Sequence, residues 1–155
     1  MSNSATGTGS TFANSGMGGG VMNGPGYYDS SGYGTFGASI LVVNNCTIEN
    51  NLAQGGGNGL GGGIANLLSG YASVTDSTIG NNLANGTSGG SGLGGGAYND
   101  ATSSLSLSKT EVTSNRADGT PGSGGGIDSP GSFTDDSLAD ISKNKASTSD
   151  NNYGT

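Results

Sequence analysis

The chain has 155 residues, of which 34 are glycine and only 30% are apolar. A Gly- and Ser-rich chain without internal order would bury too little apolar surface to offset the entropy of folding. Eleven acidic residues stand against four basic ones (Lys109, Arg116, Lys143, Lys145), which are scattered through the C-terminal half. The basic stripe that nucleic acid or anionic lipid heads require is missing, so neither is an expected partner.

In chain order, Met1 to Gly16 carries neither a basic n-region nor an apolar h-region and does not read as a signal peptide. No later run approaches the roughly 20 apolar residues that span a bilayer, so membrane insertion is not expected. Thr11-Phe12-Ala13-Asn14-Ser15 aligns with Thr47-Ile48-Glu49-Asn50-Asn51 and reads as the tail of a partial coil over residues 1–17. A triplet glycine follows at Gly18-Gly19-Gly20-Val21 and recurs at Gly61, Gly94 and Gly124, in steps of 43, 33 and 30 residues. A second motif alternates with it in phase: Ile48-Glu49-Asn50-Asn51-Leu52-Ala53, Ile79 to Ala84, Val112 to Ala117 and Ile141 to Ala146. Two motifs kept in phase through four copies mark a solenoid and exclude a random linker.

Short alternating runs precede the second motif, namely Ile40-Leu41-Val42-Val43, Ala72-Ser73-Val74-Thr75 and Leu105-Ser106-Leu107-Ser108. Each reads as a strand with one face inward. The fourth copy, Phe133-Thr134-Asp135-Asp136-Ser137-Leu138, is degraded. No segment has an apolar period of 3.6, and the glycine content weakens any helix. The expected fold is therefore all-β: a single-stranded parallel β-helix (β-solenoid) of about four coils, one domain over residues 1–155. Its repeats fall near 18–60, 61–93, 94–123 and 124–146, with a tail at 147–155. Ile48, Ile79, Val112 and Ile141 should stack on one inner face, with Asn51, Asn82, Asn115 and Asn144 as a structural amide ladder at one corner. The glycines should supply positive φ or close backbone approach at another corner.

The Gly-Gly-x-Ile/Val element alternating with Ile/Val-x-x-Asn resembles the repeats of the polymorphic outer-membrane autotransporter family and related bacterial surface β-helix proteins, over roughly Gly18 to Ala146. The resemblance implies a right-handed coil and an adhesive passenger exposed at the cell surface or outside the cell. It leaves the ligand open, because similar coils also occur in polysaccharide lyases and phage tailspikes.

Few residues offer chemistry. The first repeat is lengthened by a loop holding Tyr27, Tyr28, Tyr33 and Phe36, four of the nine aromatics. These can stack on sugars or bury at an interface, or fold over the solenoid and cover its apolar edge. The glycine run Gly89 to Gly96 lacks the Asp of a calcium-binding nonapeptide, and no Gly-Lys-Ser/Thr follows any glycine run, so neither a metal nor a phosphate cofactor is expected. The absence of histidine excludes His-based acid–base schemes. Asp135 and Asp136 are adjacent and read as a solvated turn rather than a catalytic pair. Cys46, the single cysteine, shares its repeat position with Ser77, Thr110 and Ala139 and reads as a small residue in a stack. Two sequons begin at Asn45 and Asn85, the first in an expected strand.

These features point away from an enzyme. The expected role is that of a non-catalytic structural or adhesive extracellular solenoid. The alternative is a glycan-binding or glycan-processing β-helix such as a tailspike piece, with a carbohydrate or host-surface ligand. Neither end carries a helical cap, so open coil edges should pair, through self-association end to end into a filament or with further coils of a longer solenoid.

Overall fold

The computed structural model describes residues 3–7, 15–24 and 38–150, which form strands, turns and bends with no helix. β1 (Ser4–Gly7) precedes a first level of β2 (Gly16–Met17), β3 (Val21–Asn23), β4 (Ile40–Asn44), β5 (Thr47–Glu49) and β6 (Leu52–Gly55). The second level is β7 (Gly59–Leu60), β8 (Ile64–Asn66), β9 (Tyr71–Thr75), β10 (Thr78–Gly80) and β11 (Leu83–Gly86). The third is β12 (Gly92–Leu93), β13 (Ala97–Asn99), β14 (Ser104–Ser108), β15 (Glu111–Thr113) and β16 (Arg116–Asp118). The last is β17 (Gly122–Ser123), β18 (Ile127–Asp128), β19 (Ser132–Asp135), β20 (Asp140–Ser142) and β21 (Lys145–Ala146).

Every strand pairs in parallel with the equivalent strand one level away, which makes a β-solenoid of five narrow sheets. Four sheets hold four strands, and the fifth runs β1-β6-β11-β16-β21. Where the motif count predicts about four coils, the stack makes about three complete turns. Four levels bound only three intervals, and β1 adds a partial turn.

The register is the predicted one. Ile48, Ile79, Val112 and Ile141 are successive partners, and so are Ala53, Ala84, Ala117 and Ala146. In the alternating runs Val43, Val74 and Leu107 stack inward, as do Leu41, Ala72, Leu105 and Phe133. Asp135 takes the next place after Leu107, which is why the core thins at the last level.

The first glycine of each triplet has positive φ (Gly18 62°, Gly61 60°, Gly94 63°, Gly124 57°), the left-handed bend that only glycine adopts without cost. The third glycine lies where two walls of the coil meet. A β-carbon at Gly63 would stand 2.6 Å from the Gly96 carbonyl oxygen, 2.9 Å from Asn82 Nδ2 and 3.1 Å from Ile79 Cγ2. Gly20, Gly96 and Gly126 face Asn51, Asn115 and Asn144 in the same way, each with the aliphatic of its own level. The two sequence motifs alternate in phase because they touch.

Two expectations are corrected. Asn3, and not Ser15, holds the ladder place before Asn51: β1 pairs with β6 so that Ala5 meets Ala53, and the Asn3 amide reaches Asn51. Ser15 instead precedes Gly16, whose partner is Gly59; Thr11, Phe12, Ala13 and Asn14 lie outside the described residues. Asn45 is not in a strand. β4 ends at Asn44, and Asn45 is an exposed bend residue at φ 53°, in a column with Asp76 (47°) and Lys109 (47°). Asparagine and aspartate tolerate that conformation better than most residues.

These packing differences give a paired test by chemical denaturation. Gly63→Ala forces backbone apart and should cost about 2 kcal/mol or more, in the range of core overpacking. Gly80→Ala meets nothing closer than the Thr113 carbonyl oxygen at 3.5 Å. It should be neutral or stabilise by about 0.4–1 kcal/mol, through the entropy of the unfolded chain.

Candidate functional site

The predicted Asn ladder is fully formed. The backbone N–H and side-chain amide of Asn51 both donate to Asn82 Oδ1 (3.0 and 2.9 Å), those of Asn82 to Asn115 Oδ1 (2.9 and 3.0 Å), and those of Asn115 to Asn144 Oδ1 (2.9 and 3.0 Å). The second amide hydrogen goes back to the main chain, from Asn82 to the Ile48 carbonyl (2.9 Å) and from Asn115 to the Ile79 carbonyl (2.9 Å). All four hydrogen-bonding sites of these buried amides are therefore used, the condition under which a polar group is tolerated in a core.

A second ladder stands at another corner. Asn23 donates to Asn66 Oδ1 (2.7 Å), Asn66 to Asn99 Oδ1 (2.7 Å) and Asn99 to Ser129 Oγ (2.9 Å). It was legible and unread: each of these residues follows the third glycine of its triplet by three positions.

Cys46 has the stacked place expected of it. Its thiol lies 3.1 Å from the Asn44 carbonyl, as the Ser77 hydroxyl donates to Thr75 (2.6 Å) and the Thr110 hydroxyl to Ser108 (2.9 Å). It is exposed because it belongs to the first level. Asp135 and Asp136 do not form a pair. Asp135 ends β19 in solvent, whereas Asp136 accepts from the Ser108 hydroxyl (2.7 Å) and the Lys109 and Leu138 N–H groups (3.2 and 3.0 Å). The hydroxyl and these amides hold its carboxyl below the ordinary carboxylate range. Burial pushes the Asp128 carboxyl the other way. Among the described residues no three His, Cys, Asp or Glu side chains converge into a group that could hold a metal. The aromatic candidates Tyr27, Tyr28, Tyr33 and Phe36 lie outside the described residues.

What remains is the N-terminal face of the stack. A shallow depression of about 280 Å³ opens there over the core, with Val21 and Ile48 as its floor and Asn3, Asn51 and Glu49 at its rim. Beside it β4 forms the edge of its sheet, with no strand beyond it among the described residues. This strand is apolar on both faces: Leu41 and Val43 point inward, while Ile40 and Val42 are 73% and 70% exposed and Tyr71 of β9 adjoins Ile40. A long apolar edge with unpaired backbone groups is a template for another strand. The opposite end is better protected. Its edges carry Asp135 and Asp140, and residues 147–150 continue under the last level, where the Thr148 N–H bonds the Gly122 carbonyl (3.0 Å) and Gly125 and Gly126 donate to Ser149 and Asp150 (3.1 and 2.8 Å). A second concavity of about 450 Å³, lined by Arg116, Asp118 and Lys145, flanks that end, with Arg116 paired to Asp118 (2.6 Å).

In comparisons with known proteins, no family model, no curated protein and no solved structure matches the chain.

Two measurements check this geometry. Asn115→Leu should destabilise by about 1–3 kcal/mol for each buried group it leaves without a partner, far beyond the effect of replacing exposed Asn81. In a carboxyl NMR titration Asp136 should titrate below, and Asp128 above, the ordinary value of 3.8. The contribution of Asp136 is then lost as pH falls through its folded pKa, and that of Asp128 is lost as pH rises through its own.

Proposed function

We propose that the chain is a non-catalytic structural or adhesive solenoid, acting outside the cell or at its surface, that associates with copies of itself through an open coil end. The observation that carries this reading is β4, a five-residue edge strand apolar on both faces, with Ile40 and Val42 exposed beside a shallow depression on the first level. A thin core of this kind gains most from burying its end, and neither a disulfide nor a described metal group is there to staple it. The resemblance of the paired motifs to surface autotransporter repeats supports the location and the adhesive role. The segment that holds Tyr27, Tyr28, Tyr33 and Phe36 precedes β4 in the sequence, and aromatics of this kind can serve an interface or a carbohydrate.

Sedimentation over a wide concentration range, together with negative-stain imaging, tests the proposal. Concentration-dependent assembly is expected. A folded monomer at every concentration, or release of reducing sugar from a polysaccharide panel, would overturn it, the latter in favour of a glycan-processing β-helix.

A further inference from the structure

The bend after β4 carries a motif that the proposed role leaves unused. Asn45-Cys46-Thr47 and Asn85-Gly86-Thr87 are the two Asn-x-Ser/Thr sequons of the chain. A sequon accepts sugar only where an enzyme can reach it, on a surface loop. The structure separates the two. Asn45 is exposed at φ 53°, in the bend between β4 and β5. Its N–H donates to the Thr75 carbonyl (3.1 Å), and the Cys46 carbonyl accepts from the Thr78 N–H (2.9 Å). The triplet is thus held from the second level, because β4 and β5 are both edge strands of their sheets among the described residues. The Asn45 side-chain amide has no hydrogen-bond partner among the described residues, and Thr47, whose hydroxyl completes the sequon, is exposed as well.

Asn85 is the contrary case. It lies inside β11, in register with Gln54 of β6 on one side and Asp118 of β16 on the other. Its amide donates to Gln54 Oε1 (3.3 Å), and the Thr87 hydroxyl donates to the Gly55 carbonyl (2.8 Å), as the Thr87 N–H does (2.9 Å). Presenting this triplet to an enzyme means stripping β11 from both neighbours. We infer that Asn45 is an acceptor for a sugar carried on a diphosphate, and that Asn85 in the folded chain is not. In the transfer, Asn45 Nδ2 bonds to the anomeric carbon of the donor as the bond from that carbon to the diphosphate oxygen breaks. The diphosphate leaves with the electron pair, and one amide hydrogen passes as a proton to a base of the transferase. Lipid-linked and nucleotide-linked sugars share this chemistry. The assignment goes beyond self-association and does not depend on it.

The folded chain is incubated with a transferase that uses a lipid-linked oligosaccharide and, separately, with one that uses a nucleotide sugar. Each enzyme is first shown to be active on a free sequon peptide, and intact mass with peptide mapping reads the product. One added glycan on Asn45 is expected from at least one enzyme, and the enzyme that supplies it identifies the donor. Mapping on the wild type locates the glycan without any variant. Asn45→Gln should abolish the addition, and Asn85→Gln should leave it unchanged. Thr47→Ala keeps the amide but removes the hydroxyl, and should abolish it too. Circular dichroism before the reaction confirms that each variant is folded. No glycan on the folded wild type from either enzyme would overturn the assignment, and so would a glycan on Asn85.

Discussion

Across the narrow part of every coil, the third glycine of a triplet lies against the amide of a ladder asparagine and the aliphatic residue three positions before it. Neither partner has room for alternatives. A side chain on the glycine would overlap the amide nitrogen and the carbonyl of the next level, and an apolar residue in place of the asparagine would leave the N–H and amide donors of the preceding ladder asparagine buried without their acceptor. The rest of the solenoid follows from this contact. It holds two walls at backbone distance, keeps the cross-section small, and allows a chain with 30% apolar residues to close a core. What aliphatic burial does not supply, satisfied amides do: each ladder residue closes its own hydrogen bonds and ties its level to the next.

The same repetition makes the molecule strong in its middle and weak at its ends. In a stack of this kind stability is the sum of nearest-neighbour interfaces, so inner levels have two neighbours and outer ones a single neighbour. Ile79 and Val112 are fully buried, while Ile141 is only partly covered. The two ends meet the problem differently. The last level breaks the apolar pattern with Asp135, ends the second ladder in Ser129, whose hydroxyl donates to Gly131, and takes residues 147–150 against its glycines. The first level keeps its apolar strand, with Ile40 and Val42 exposed. The functional proposal grows from that asymmetry.

Much of this was legible in the sequence because a solenoid writes its register as a period. The Ile and Asn columns could be named residue by residue, since Ile/Val-x-x-Asn-x-Ala has few accidental matches. The glycine corner followed from the rarity of positive φ in other residues. The second ladder was missed because Asn66 and Asn99 lie in short strands whose neighbours, Ala65 and Tyr98, show no alternation that marks an inward polar residue. The start of the Asn ladder was misplaced because Ser15 was matched to Asn51 by residue type alone. Asn3-Ser4-Ala5 carries the informative Asn-x-Ala spacing without its aliphatic and so escaped notice. Asn45 was assigned to a strand because it extends an apolar run. The bend there is set by its conformational tolerance and not by hydrophobicity.

The contact between ladder amide and glycine can be tested in the intact chain through exchange of asparagine side-chain amide protons, followed by NMR. Asn50 and Asn81 are exposed neighbours of the ladder and serve as internal controls. The amides of Asn82 and Asn115 should exchange only through opening of the stack, at rates close to those of the slowest backbone amides, while those of Asn50 and Asn81 exchange as in a free peptide. Rapid exchange at Asn82 and Asn115 in a folded protein would mean that the ladder is not closed, and would contradict the account of how this coil holds together.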